Sequence, residues 1–230
     1  MLRIRIERRR QVKDYNTIVF RLDGTVIDTS QDIIACYNHA ARELNISEKK
    51  PESLKNAIGL SVTTGFLCYY GIGERKAKEA ALAYRRSYRR IRVFRAKLYD
   101  GIVSLLSWLK KNGYKTAATS MWPEECAAKT LRDCEIARYF DVITGFAGGA
   151  QPSGAQMINS CIERLKTGKG SAVMIGNSVY DGKSATEAGV DFIGATYGLG
   201  LAPSVDVRRN KSVLIADRPE NIIRFLDANR

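Results

Sequence analysis

The stretch NTIVFRLDGTVIDTS, residues 16–30, decides how the chain is read. Residues 15–22, YNTIVFRL, are β-branched and aromatic and stop at the pair Asp23-Gly24. A short apolar run that ends at a turn pair predicts a buried strand. The odd member is Arg21, a permanent charge at the strand's expected end.

Helical spacing follows. SQDIIACYNHAARELN sets apolar residues at helical intervals behind Ser30, the expected cap. PESLKNAI and ERKAKEAALAYRRSYRRI extend the helical pattern with no strand-like alternation between them, so residues 31–97 are expected to form a helical insertion. The pattern then changes. GIVSLLSWLKKNG reads as a helix, YKTAATS as a strand, PEECAAKTLRDCEIARYF as a helix begun at Pro123, and FDVITGF as a strand. Helices in GAQMINSCIERLK, SATEAGV and PENIIRFLDA alternate with strands in SAVMIGN, DFIGATYG and SVLIA. This alternation predicts an α/β fold whose Rossmann-like parallel sheet is joined by right-handed crossovers. The expected organisation is a basic extension at 1–14 with an edge strand in LRIRI, a core at 15–30 and 98–230, and a helical cap at 31–97.

In an open parallel sheet, ligands bind beyond the carboxyl ends of the strands. Those ends read RLDGT at 21–25, Thr119-Ser120, GGAQPSG at 148–154 and GNSVYDG at 176–182. In this order and spacing the four clusters resemble the four motifs of the haloacid dehalogenase superfamily, in the branch of phosphoglycolate-phosphatase-like hydrolases with a helical cap. FRLDGTVIDTS is similar to that family's F-D-L-D-G-T-L-I-D-T. TSMWPEE stands where the family has T-S-K-P-E-E, with Met121 near the lysine's place, and QPSG stands where it has Lys-Pro. GNSVYDG resembles G-D-x-x-x-D. The likeness runs from Tyr15 to the C-terminus.

The resemblance implies a chemistry. In the family the first aspartate of D-x-D attacks phosphorus, the second is the general acid/base, and a Ser/Thr and a lysine hold the phosphoryl oxygens. Mg²⁺ takes the nucleophile, a main-chain carbonyl and an acidic residue of the fourth motif. Carried over, Asp23 holds the acid/base position and would offer its carbonyl, Thr119 the phosphate-binding position, and Asp181 an acidic metal position. Three positions depart: Arg21 stands at the nucleophile, Gln151 at the lysine and Asn177 at the first acidic position of motif four. A guanidinium has no lone pair for attack and cannot ligate a cation. The expected function is therefore that of a catalytically disabled phosphatase relative keeping an anion- or phosphate-binding cup, with no cofactor. The cup's expected donors are the main-chain N–H groups of 22–25, the Thr119 hydroxyl and Arg21, the last paired with Asp23, Asp181 or both. The alternatives are a Mg²⁺-dependent phosphomonoesterase and a polyanion-binding protein.

Composition bounds the rest. The chain has 230 residues and a net charge of +13. YRRSYRRIRVFRAK, residues 84–97, is its most basic stretch. It reads as a solvated helix face or as a surface for nucleic acid, with Tyr84 and Tyr88 available to stack on bases. Cys36, Cys68, Cys126, Cys134 and Cys161 form no C-x-x-C pair and read as reduced thiols of a cytoplasmic protein. The lone His39 argues against a histidine metal site or a catalytic triad. No apolar run reaches membrane-spanning length, and the Arg-rich start lacks a signal-peptide core.

Overall fold

The computed structural model describes residues 13–58, 60–90, 97–146, 152–199 and 212–230. The expected edge strand in LRIRI and the residue Gln151 lie outside them.

The run that opens the sequence reading forms β1, Thr17–Arg21. After a turn, Ile27–Asp28 forms β2, and four helices follow: α1 Ser30–Glu43, α2 Pro51–Leu54, α3 Val62–Gly65 and α4 Glu74–Arg90. The short strand β3, Lys97–Leu98, returns antiparallel to β2. From there strands and helices alternate: α5 Ile102–Lys111, β4 Lys115–Pro123, α6 Glu124–Asp133, β5 Val142–Phe146, α7 Gly154–Leu165, β6 Ala172–Gly176, α8 Val179–Ala188, β7 Asp191–Ala195, β8 Ser212–Ala216 and α9 Pro219–Asp227.

Six strands make one parallel sheet in the order β5-β4-β1-β6-β7-β8. The chain leaves β1 toward β4 and β5, then crosses back to β6 on the other side. That reversal opens a crevice at the carboxyl end of β1, the place where such sheets bind ligands. Strand alternation divides β1 between two cores. Ile18 and Phe20 pack with Leu105, Leu109 and Ile222 from α5 and α9. Val19 packs with Ile158, Cys161 and Ala185 from α7 and α8. Both faces of β1 are buried, which is why its sequence is continuously apolar.

The helical insertion has its own core, built on Tyr37, Phe66, Tyr70 and Tyr84. One local expectation is corrected. Ser30 is the first residue of α1 and Thr29 precedes it, so Ser30 does not cap the helix. Its N–H instead meets the Asp28 carboxylate at 2.9 Å. Within the expected helical insertion, the β-branched and aromatic segment 62–70 is α3 followed by a π-helical turn at Phe66–Tyr70. Tertiary packing overrides propensity there: Gly65 lies against the Tyr37 ring, where a Cβ would strike the phenol.

Candidate active site

Three strand ends meet at the crevice. Parallel pairing sets Arg21 beside Thr119 and Phe20 beside Ile175, so Gly176-Asn177 leaves β6 next to Arg21. Beyond them lies a cavity of about 320 Å³. Arg21, Asp23, Asn177 and Asp181 line it from the core, and Ile33, Ile58, Leu60 and Tyr88 from the helical insertion.

The turn after β1 is held tightly. Gly24 has φ +76°, a left-handed conformation that favours glycine, and its N–H meets the Ile27 carbonyl at 2.8 Å. Leu22 N–H donates to the Thr119 carbonyl at 2.9 Å. These two expected anion donors are thus consumed by the fold. The Thr119 hydroxyl is also turned away from the cavity, donating to the Phe20 carbonyl at 3.2 Å. Ser120 reaches inward instead, and its hydroxyl meets Asp23 Oδ2 at 2.9 Å. Successive strand residues face opposite sides, so Thr119 and Ser120 part company here, and the β4–β5 register shifts just beyond, between Thr119 and Pro123.

Asp23 is buried, with Ser120 on one carboxylate oxygen and the Tyr88 hydroxyl on the other at 3.2 Å. Burial pushes its carboxyl above the ordinary aspartate range, while Arg21, Ser120 and Tyr88 pull it back. Arg21 Nη2 lies 3.8 Å from Asp23 Oδ2, within ion-pair reach and beyond hydrogen-bond distance. Among the described residues the guanidinium makes no hydrogen bond, and 20% of its side chain stays exposed at the cavity. Burial pulls its pKa down, but Asp181, Asp23 and Tyr88 together raise it above the ordinary value.

Of the two expected partners of Arg21, only Asp23 comes within ion-pair distance. Asp181 is the third residue of α8 and closes a capping box with Ser178. Its Oδ2 accepts from Asn177 N–H at 3.1 Å, Ser178 N–H at 3.0 Å and the Ser178 hydroxyl at 2.7 Å. Asn177 is equally committed. Its Oδ1 accepts from the Thr25 hydroxyl at 2.8 Å and its Nδ2 donates to the Leu199 carbonyl. Gly198 has no room for a Cβ, which would strike the Gly24 carbonyl. Among the described residues, no three His, Cys, Asp or Glu side chains are grouped to hold a metal ion. With a guanidinium beside Asp23 and these side chains already bonded, the donor set does not fit Mg²⁺.

The family model described as haloacid dehalogenase-like hydrolase matches residues 18–195. The chain belongs to that family. It is 28% identical over 190 residues to the tyrosine-protein kinase PtkA of Mycobacterium tuberculosis, covering 82% of this chain. The chain spans 65% of that relative's length. It is 27% identical over 214 residues to the phosphoglycolate phosphatase of Aquifex aeolicus, covering 91% of this chain and 96% of that one. A crystal structure described as a predicted phosphatase from Clostridium acetobutylicum superposes with a TM-score of 0.77 at 28% identity, covering 93% of this chain and 99% of that one. The expected family, branch and sheet-plus-insertion architecture are borne out.

Sequence reasoning missed Tyr88, Ser120 and Thr29 as site residues. Tyr88 carried a signal in its four-residue spacing from Tyr84, which stacks on it. The expected use of these tyrosines for nucleobases is corrected: Tyr84 is buried in the insertion's core, and Tyr88 packs toward Trp122 and is bonded to Asp23. Trp122 itself is buried. Among the described residues no helix is long and apolar enough to cross a membrane.

Proposed function

We propose that this member of the haloacid dehalogenase-like family binds an anionic small molecule without metal and does not form a phosphoenzyme. One observation carries the reading: the Arg21 guanidinium stands at the end of β1, lines the cavity, and has no hydrogen-bond acceptor among the described residues. Donors of a mostly buried cation call for an acceptor, and an oxyanion supplies a bidentate one. The same group opposes a metal. Two unit charges about 4 Å apart repel by roughly 4 kcal/mol at an effective dielectric near 20, and a divalent ion doubles that.

A second reading is a Mg²⁺-dependent phosphomonoesterase. The names of the relatives favour it, and so does Asp23, kept at the acid/base position with its pKa raised. Turnover of p-nitrophenyl phosphate with Mg²⁺ separates the two. The expected rate is that of the blank. Hydrolysis that Asp23→Ala abolishes would establish the second reading in place of the first.

A further inference from the structure

The basic character of the chain lies outside the cavity, where Arg21 is the one cation among the described lining residues. It gathers on the helical insertion. Between residues 80 and 99 stand seven Lys or Arg and no Asp or Glu. Much of that stretch belongs to α4, whose Ala77, Ala80, Ala83 and Tyr84 are buried in the insertion's core. Arg75, Lys76, Lys78, Arg85 and Arg86 are exposed on the other side. By helical geometry Arg75, Lys78, Arg85 and Arg86 share an arc of about 100° and extend along about 16 Å of the helix. Lys78 pairs with Glu74 and Arg86 with Glu43, both at the surface. Arg75, Lys76 and Arg85 have no acidic partner among the described residues.

Helix stability does not call for this row. Cations suit a helix's last turn, but Arg75 and Lys76 stand in the first turn of α4, where the macrodipole opposes them. Like charges three residues apart, as at Arg75 and Lys78, repel. A polyanion laid along the face offsets both effects. The surroundings narrow its kind. A helix at a membrane surface sinks an apolar face into lipid, and the apolar face of α4 is already buried against α1. A protein interface has an apolar centre, whereas Leu82 is the one large apolar side chain exposed on the described part of α4. Single strands need exposed aromatic platforms, and Tyr84 and Tyr88 are turned inward. A ridge the width of one helix fits the major groove of B-form DNA and not the narrow one of duplex RNA.

We propose that the outer face of α4 binds double-stranded DNA through its phosphates, with Arg75, Lys76 and Arg85 as the principal contacts. Guanidinium forks match pairs of phosphate oxygens, and these side chains have no intramolecular partner to give up. The face points away from the insertion's core and does not depend on the anion-binding reading of Arg21.

Fluorescence anisotropy of a labelled DNA duplex of about 20 base pairs, two turns long, titrated with the full chain, tests this. The expected Kd is about 1–100 μM at physiological salt, and about three to five phosphate contacts give a slope of log K against log salt of about −3 to −4.5. Arg75→Gln with Lys76→Gln and Arg85→Gln should flatten that slope by about 2 to 3 and weaken binding at least about tenfold at low salt. All three positions are exposed, so the fold should tolerate the change. Lys111→Gln with Lys115→Gln and Arg132→Gln removes as much charge from exposed positions on α5, β4 and α6, and should leave the slope unchanged. An α4 variant that loses no more affinity than this control would assign any binding to net charge and overturn the proposal. Tighter binding of a single strand or an RNA duplex of the same length, of polyglutamate, or of phosphatidylserine vesicles would overturn the choice of partner. Absence of duplex binding at low salt would overturn the face altogether.

Discussion

The Tyr88 hydroxyl, carried on α4 of the helical insertion, donates to Asp23 Oδ1 in the first loop of the core at 3.2 Å. The insertion is thereby fastened over the site by a protein group alone. Tyr88→Phe removes the donor and leaves a buried carboxylate oxygen without a partner. Unfolding stability is expected to fall by about 1–3 kcal/mol, read as a lower urea midpoint. An unchanged midpoint would mean that the bond does not hold the two parts together.

Asp23 also sets a pH dependence. Burial raises its carboxyl, and the opposing pull of Arg21, Ser120 and Tyr88 does not restore the ordinary value. The folded protein therefore keeps this proton to higher pH than the unfolded chain does. Between the ordinary aspartate value and the raised one, the folded state binds more protons, so stability falls as pH rises through that window. Asp23→Asn does not titrate, and its stability curve should lack this descent. The check is urea unfolding of both proteins from pH 4 upward; parallel curves would assign the effect to another group.

Gly24→Ala tests the turn. The backbone there is left-handed, and a Cβ would lie 2.5 Å from Asn177 Nδ2. The expected cost is about 1–3 kcal/mol of stability. Faster exchange of the Asn177 side-chain amide in this variant than in the unmodified protein would show that the clamp opens with it.

Restoration tests the proposed loss of phosphatase chemistry. Arg21→Asp with Gln151→Lys and Asn177→Asp should raise Mg²⁺-dependent hydrolysis of p-nitrophenyl phosphate at least about tenfold above the unmodified protein, since a carboxylate nucleophile and its metal would return together. The same variant should melt lower without Mg²⁺, because clustered carboxylates repel and the Leu199 carbonyl loses its donor. No gain in rate would place the obstacle outside these three positions.

Periodicity made the architecture legible. β1, β4, β6 and β7 are short apolar runs bounded by turns, and the strand ends carried the four motif clusters. What stayed hidden depended on direction, not on spacing. Thr119 and Ser120 are neighbours, and adjacent strand residues face opposite sides, so the phase of β4 decides which hydroxyl reaches Asp23. Asp181 bears the right residue type for a metal ligand, but Ser178 three positions earlier turns it into a helix cap. Tyr88 sits among arginines and reads as surface, whereas the fold turns it onto Asp23. Only the pairing of remote loops reveals these roles.

Asn177 receives a bond from Thr25 and gives one to Leu199, so a single side-chain amide ties together the loops after β1, β6 and β7. Part of the crevice's shape is consequently written into the polypeptide itself. On the proposed metal-free reading, a chelator is expected to leave this three-loop tie intact.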